Sequence, residues 1–348
     1  MSPLPDRPET ELADGLSEKA WPPRTVWHYT DAKGLEGILR ENVLWANSTA
    51  FMNDRHELLT GAMLLQELLE RHKAYLEPKV LADIRSMLRY ATARDRYKAF
   101  LACACEDPNN LTMWRNYTGN SVGFAIGIDS SKALSMRRQR PMTSSMLDEQ
   151  GFHDDAERRE VLENGRRPLG AFAWQEVKYD KEDHIKWAWG RLRELEGASR
   201  AHQSKSTRSP KTRPELDVMS DIYEDLQTIK DSGFKDERET RVLCWTALHT
   251  DLTYVKYRPN QYGIVPYVEL GIPRSPDSVP GQFPEPMEQL PVVGIAVGPT
   301  PYPEEAASGV RELLRSVGRP AVAVIRLFGS KHGSGFSMGG GRLRIAGI

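Results

Sequence analysis

The sequence predicts an α+β fold, a single mixed α/β domain that carries a charged insertion, and three observations point there. Short β-forming runs are spread along the whole chain, and helical stretches fall between them at uneven intervals rather than in a βαβ series. No Gly-x-Gly-x-x-Gly follows a strand to open a helix, and no Walker sequence occurs, so the parallel dinucleotide and P-loop folds are not signalled. The stretch 135–215 differs in composition, with the basic run Arg137-Arg138-Gln139-Arg140 and the polar tract from Ser204 to Arg213.

Each element has its own warrant. Residues 1–22 read as a flexible leader ending at Pro22-Pro23, and the domain as 23–328. The run Thr25 to Thr30 is a strand, after which Asp31 can cap a helix that carries Leu35, Ile38 and Leu39 on one face. A second extended piece, Val43 to Asn47, leads into a loop, and Glu57 to about Tyr90 is helical with Leu58, Ala62, Leu65, Leu68 and Leu69 as its stripe. Phe100–Cys105 is a buried strand, Met113–Tyr117 a short helix and Val122–Asp129 another strand. Within 135–215 only Ala173–Tyr179 reads as a strand, and the rest reads as surface insertion, partly helical and partly mobile. A helix near Asp217–Lys230, a strand opened by Glu237 and Glu239, strands Val292–Gly298 and Ala321–Leu327, and a helix with Val310, Leu313 and Leu314 complete the domain. The Gly-rich stretch 329–348 reads as a loose tail.

The bulk numbers exclude several classes. With 47 basic against 48 acidic residues, no global field recruits nucleic acid or an acidic membrane. Cys103, Cys105 and Cys244 give neither a disulfide framework nor zinc-ligand spacing, and reduced thiols suit a cytoplasmic protein. No apolar run long enough for a membrane span and no apolar leader is present, so no membrane partner is expected.

Three polar features sit where apolar residues would be cheaper. His28 lies inside the first strand, on the face of Val26 and Thr30 and opposite Trp27 and Tyr29. A neutral imidazole there can donate to a ribose hydroxyl, and the competing reading is a hydrogen-bonded structural histidine. Asn53-Asp54-x-x-Glu57 suits a helix cap as well as a site, and nothing around His56 matches metal-ligand spacing. Glu237-x-Glu239, with Arg241 next in the series, puts two carboxylates and a guanidinium on one face of a strand. That suits the positive charge that develops on a sugar carbon in glycosyl transfer, and a salt-bridged strand end is the alternative.

The order of these blocks carries a resemblance. Trp27-His28-Tyr29-Thr30, Gly34-Leu35-x-x-Ile38-Leu39, Leu44-Trp45-Ala46-Asn47 and Asn53-Asp54-x-x-Glu57 come first. Met113-Trp114-x-x-Tyr117, Gly123-Phe124-x-Ile126-Gly127-x-Asp129, Phe234-Lys235-x-Glu237-x-Glu239-x-Arg241 and Val293-x-Ile295-x-Val297-Gly298 follow. Together they resemble the bacterial domain-of-unknown-function family DUF2971 over about residues 25–328, the insertion excepted. The opening blocks are also similar to those of ADP-ribosyltransferases of the DNA-targeting toxin type. That similarity implies a split sheet and NAD as substrate, with no metal. It implies that His28 holds NAD ribose, that Glu239 supports nicotinamide cleavage and that Glu237 helps to choose the acceptor. Tyr29, Thr30, Trp45, Asn53, Tyr117 and Arg241 would complete the NAD site, with Trp45, Tyr117 or Phe124 stacking on nicotinamide. The middle motif of those transferases has no clear counterpart here. The implied function is mono-ADP-ribosyl transfer or NAD hydrolysis by a toxin or phage-defence effector. Its acceptor is protein, nucleic acid or water, and a defence-system partner is expected. The alternatives are a non-catalytic interaction or sensor module, and a metal-dependent nuclease using Asp54, Glu57, Glu237 and Glu239.

Overall fold

The computed structural model describes residues 21–51, 57–91, 98–118, 122–141, 143–149, 154–156, 158–159, 170–204, 214–246, 251–260, 263–274 and 282–326. The chain opens with β1 (Thr25–Asp31), α1 (Ala32–Glu41) and β2 (Leu44–Ser48). Two helices follow, α2 (Glu57–His72) and α3 (Pro78–Ala91), then β3 (Lys98–Cys105), α4 (Leu111–Tyr117) and β4 (Gly123–Asp129). The middle of the chain gives β5 (Ser135–Met136), α5 (Ser144–Glu149), β6 (Trp174–Glu176), α6 (Lys181–Ser204) and α7 (Pro214–Leu226). The last part gives β7 (Glu239–Thr246), α8 (Asp251–Tyr254), β8 (Lys256–Asn260) and β9 (Gly263–Gly271). It closes with β10 (Val292–Val297), α9 (Pro303–Ser316) and β11 (Ala323–Arg326).

The strands form one open mixed sheet, mostly antiparallel, with β10 and β11 the parallel pair. Its path runs β11-β10-β4-β1-β3-β2-β9-β5, with β7 and β6 added on the other side of β3 and β8 added to β9. The main core packs Val26, Phe100, Ala102, Ile126, Val242 and Val268 of the sheet against α1 and α9. Helix α1 forms as the sequence predicts. The Asp31 side chain accepts from Gly34 N at 2.7 Å, and Asn42 closes the helix in the left-handed region at φ 57°. Leu35, Ile38 and Leu39 are all buried, each stabilising the fold by about 1.5–3 kcal/mol through the apolar surface it removes from water. Gly127 is required by a close approach, since a Cβ there would lie 2.9 Å from the Trp27 ring across the β1–β4 register.

A second core is helical. Leu65, Leu69, Val80, Ile84, Leu192, Leu195, Ile222 and Leu226 bring α2, α3, α6 and α7 together. The segment read from sequence as a charged insertion is therefore built into the fold at several points. Helix α6 contributes His184, Ala188, Leu192, Leu195 and Ala198 as a buried stripe, and β5 and β6 join the sheet. The stripe is narrow and charges lie between its members, which is why composition hid it. Asp225 Oδ2 accepts from Trp187 Nε1 and Arg191 Nε, each at 2.6 Å, and ties α7 to α6. The β8–β9 hairpin was not expected, because Pro259 and Pro266 interrupt its alternation. At the leader's end, Trp21 packs edge-on against Trp27 with ring centroids 5.0 Å apart. The tail 329–348 lies outside the described residues.

Candidate functional site

The site begins with a conflict over one strand edge. Trp27 of β1 pairs with Cys105, and Asn47 of β2 pairs with Leu101, on the same edge of β3. Extended, both registers would place a residue opposite Cys103, Tyr29 from β1 and Trp45 from β2. The two strands cannot share that position, so they part, β1 towards β4 and β2 towards β9. Cys103 is left in the gap between them and pairs on its other edge with Arg241 of β7. His28 Nδ1 meets the Cys103 carbonyl at 2.8 Å. A carbonyl only accepts, so Nδ1 carries the proton and Nε2 is an acceptor. Burial lowers the His28 pKa and outweighs the opposing pull of the Cys103 carbonyl, which keeps the ring neutral at pH 7. Toward a ligand the imidazole therefore accepts rather than donates, the reverse of the sequence expectation.

A cleft of about 650 Å³ opens at this split. Cys103 and Leu101 lie at its base, Tyr117 of α4 and Phe234 on one side, and Trp45 and Arg258 on the other. Its ionic centre is a buried quartet. Lys230 Nζ lies 2.7 Å from Glu237 Oε2 and 3.2 Å from Glu239 Oε2, and Arg241 Nη2 lies 2.7 Å from the same Glu239 oxygen. Arg241 Nη1 also donates to Gln227 O at 2.6 Å, and Lys230 sits 4.7 Å over the Phe234 ring. Burial pushes the Glu239 pKa up, but Arg241 and Lys230, with a hydrogen bond from Cys103, outweigh it and hold the carboxyl below its usual range. Lys230 is fixed at its backbone, where its N–H donates to Lys178 O at 3.1 Å directly after α7.

Glu237 does not belong to the strand, contrary to the sequence reading. It ends a 3-10 turn, Ser232–Glu237, and Arg238 then takes φ 44° in the left-handed region before β7 starts at Glu239. That reversal still brings the two carboxylates to one ammonium group. Glu237 lines the cleft, and its Oε1 has no hydrogen-bond partner among the described residues. Glu239, 1% exposed at its side chain, lies deeper and does not line the cleft.

The remaining expected residues divide. Tyr29 and Arg241 line the cleft, but the Tyr29 hydroxyl is engaged, donating to Asp107 O at 2.5 Å and accepting from Asn110 N at 2.9 Å. Trp45 and Tyr117 line it with 43% and 39% exposure. Desolvation, then Cys103, Glu237 and Glu239, raise the Tyr117 phenol pKa. Phe124 is buried in the main core and stacks on nothing in the cleft. Thr30 faces the start of α1, where a Cβ on Gly34 would lie 1.9 Å from its hydroxyl, and is not on the cleft. Asn53, Asp54 and His56 lie outside the described residues, and Glu57 begins α2. The sequence reading missed Lys230, Asn47 and Arg258. Lys230 had one available signal, a lysine between a helix end and two glutamates. Among the described residues no cluster of three or more His, Cys, Asp or Glu is placed to hold a metal, and no helix is long and apolar enough to cross a membrane.

Fold and site together define a mixed α/β protein with an open, mostly antiparallel sheet and a polar cleft where β1 and β2 part. Residues 113–242 match the family model described as Protein of unknown function (DUF2971), a stretch that contains Tyr117, Lys230, Glu237 and Glu239 but neither His28 nor Arg258. No curated protein and no solved structure matches the chain.

Proposed function

We propose that this cleft binds NAD and cleaves its nicotinamide–ribose bond, passing ADP-ribose to an acceptor or to water. One observation carries the reading. His28 Nε2 and Glu237 Oε1 are two hydrogen-bond acceptors without partners among the described residues, and both belong to side chains on one cleft. Such a pair calls for a ligand rich in hydroxyl donors, and a ribose supplies them. In the reaction the C1′–N bond breaks and its electron pair leaves with nicotinamide. The nucleophile's oxygen then bonds to C1′, and its proton passes to the Glu237 carboxylate and on to solvent. Carboxylates beside C1′ favour the oxocarbenium-like state. Glu239 supports this from behind by fixing Lys230 and Arg241, a positioning role that its burial suits better than direct contact. Toxin or phage-defence activity, with a protein, nucleic acid or water acceptor, belongs to this same proposal.

The deciding experiment follows nicotinamide release from NAD, with and without cell extract, for the protein and for Glu237→Gln. Release that collapses in the variant supports the reading, and equal release in both sinks it. A non-catalytic interaction or sensor module is the alternative that the full engagement of Glu239 favours, and it predicts neither nicotinamide release nor NAD binding by the unaltered protein.

A further inference from the structure

We propose that Trp45, Asn47 and Arg258 form a separate subsite for the adenosine 5′-phosphate half of the dinucleotide, an inference that rests on the dinucleotide reading of the cleft. Position is the first argument. Trp45 and Asn47 stand on β2 and Arg258 on β8, both paired with β9, whereas Glu239 and Arg241 stand on β7. Strands β2 and β7 pair with opposite edges of β3, so their backbones are about 10 Å apart at ordinary strand spacing. A single ring cannot reach both walls, and a ligand with two planar ends can.

The second argument is how the groups divide. Tyr117 lines the cleft together with Glu237 and Lys230, which leaves it the nicotinamide end, and Phe124 is in the core. Trp45 remains as a cleft aromatic with a large exposed surface. The guanidinium carbon of Arg258 lies 5.6 Å from the Trp45 ring, Tyr267 flanks that ring at 4.8 Å, and Arg258 Nη2 donates to Asn47 Oδ1 at 3.0 Å. The guanidinium lies over the indole ring, and an arginine held against an aromatic in this way offers a purine a stacking surface. Charge is the third argument. Lys230 and Arg241 are matched by Glu237 and Glu239, whereas Arg258 and Arg115 of the cleft have no carboxylate partner among the described residues. A guanidinium with no carboxylate partner among the described residues, next to a stacking surface, suits a phosphate attached to that base.

The test titrates ADP into the full-length protein by calorimetry and measures nicotinamide release from NAD. Trp45→Ala and Arg258→Ala should each weaken ADP binding about tenfold or more, as loss of one stacked base does. Glu237→Gln should leave ADP affinity unchanged. The KM for NAD should rise in the first two variants with kcat retained, and nicotinamide mononucleotide, which lacks the adenosine half, should show no such rise. ADP binding that is absent from the unaltered protein, or equal in Trp45→Ala and Arg258→Ala, overturns the subsite. Loss of transfer to an extract acceptor at unchanged KM for NAD also overturns it, and makes this wall the acceptor's. ADP binding that depends on Trp45, in a protein that releases no nicotinamide, upholds the subsite while the catalytic reading fails.

Discussion

Two buried carboxylate clusters lie on either side of β2, and they are finished differently. On β9, Glu269 accepts from Lys256 Nζ at 2.7 Å through one oxygen, and from Gln139 Nε2 at 3.1 Å and Arg137 Nη1 at 3.3 Å through the other. Both oxygens are engaged, and the result is a clasp that holds β8 and residues 137–139 to β9. At the cleft, Glu239 is equally buried and engaged, but Glu237 gives one oxygen to Lys230 and keeps the other unpartnered among the described residues. Each cluster buries a carboxylate against a lysine and an arginine. What separates a brace from a candidate site is an unused acceptor on a surface that a ligand can reach.

The comparison breaks hardest at Glu239. Glu239→Ala leaves Lys230 and Arg241 buried with one carboxylate between them, and breaking a buried ion pair from one side costs about 3–5 kcal/mol. Urea denaturation should show that loss, and a variant as stable as the parent would refute the positioning role. Glu237→Gln comes next, and its effect should fall on chemistry. We expect kcat for nicotinamide release to drop about 100-fold, equivalent to about 2.7 kcal/mol, with only a minor change in stability. Glu269→Gln is the mirror of that variant. It should cost about 1–3 kcal/mol of stability, since Arg137 and Lys256 lose a charged acceptor, and leave turnover unchanged. Lost turnover in a folded Glu269→Gln protein would show that the clusters are not separate.

Much of the frame was legible from pattern alone. Asp31 as a cap, Leu35, Ile38 and Leu39 as one buried face, and the strands at Phe100–Cys105 and Val292–Val297 all follow from local periodicity and end chemistry. Local signals failed where a residue's neighbours are distant in sequence. Nothing near Lys230 or Arg258 says that they line the same cleft as Trp45, because the meeting is set by which strands pair with which edge of β3. The alternation rule placed Glu237 and Glu239 side by side for the wrong reason. A left-handed Arg238 breaks the strand there, and the two carboxylates converge on Lys230 instead. Helix α6 stayed hidden because its stripe of Ala188, Leu192, Leu195 and Ala198 is outnumbered by charged neighbours. Its packing partners on α2, α3 and α7 supply the burial that propensity alone does not announce.

The smallest effect separates the two clusters by pH. Burial lowers the His28 pKa in the folded protein below its unfolded value of 6.5, so the unfolded chain binds more protons as the solution is acidified. His28 therefore contributes stability that is fully present above about pH 6.5 and is lost as pH falls through the folded pKa. Glu239, also held below its ordinary value of 4.5, adds a loss of the same sign only at lower pH. Activity should respond in the first window too, because an imidazolium turns Nε2 from an acceptor into a donor and removes the site for a ribose hydroxyl. His28→Asn keeps an N–H for the Cys103 carbonyl and removes the titration. Urea unfolding between pH 8 and pH 5 should then lose its upper acid limb in His28→Asn and keep it in Glu269→Gln. Identical slopes in the parent and His28→Asn would mean that the ring at the split of the sheet does not titrate there, and the acceptor role of Nε2 would lose its support.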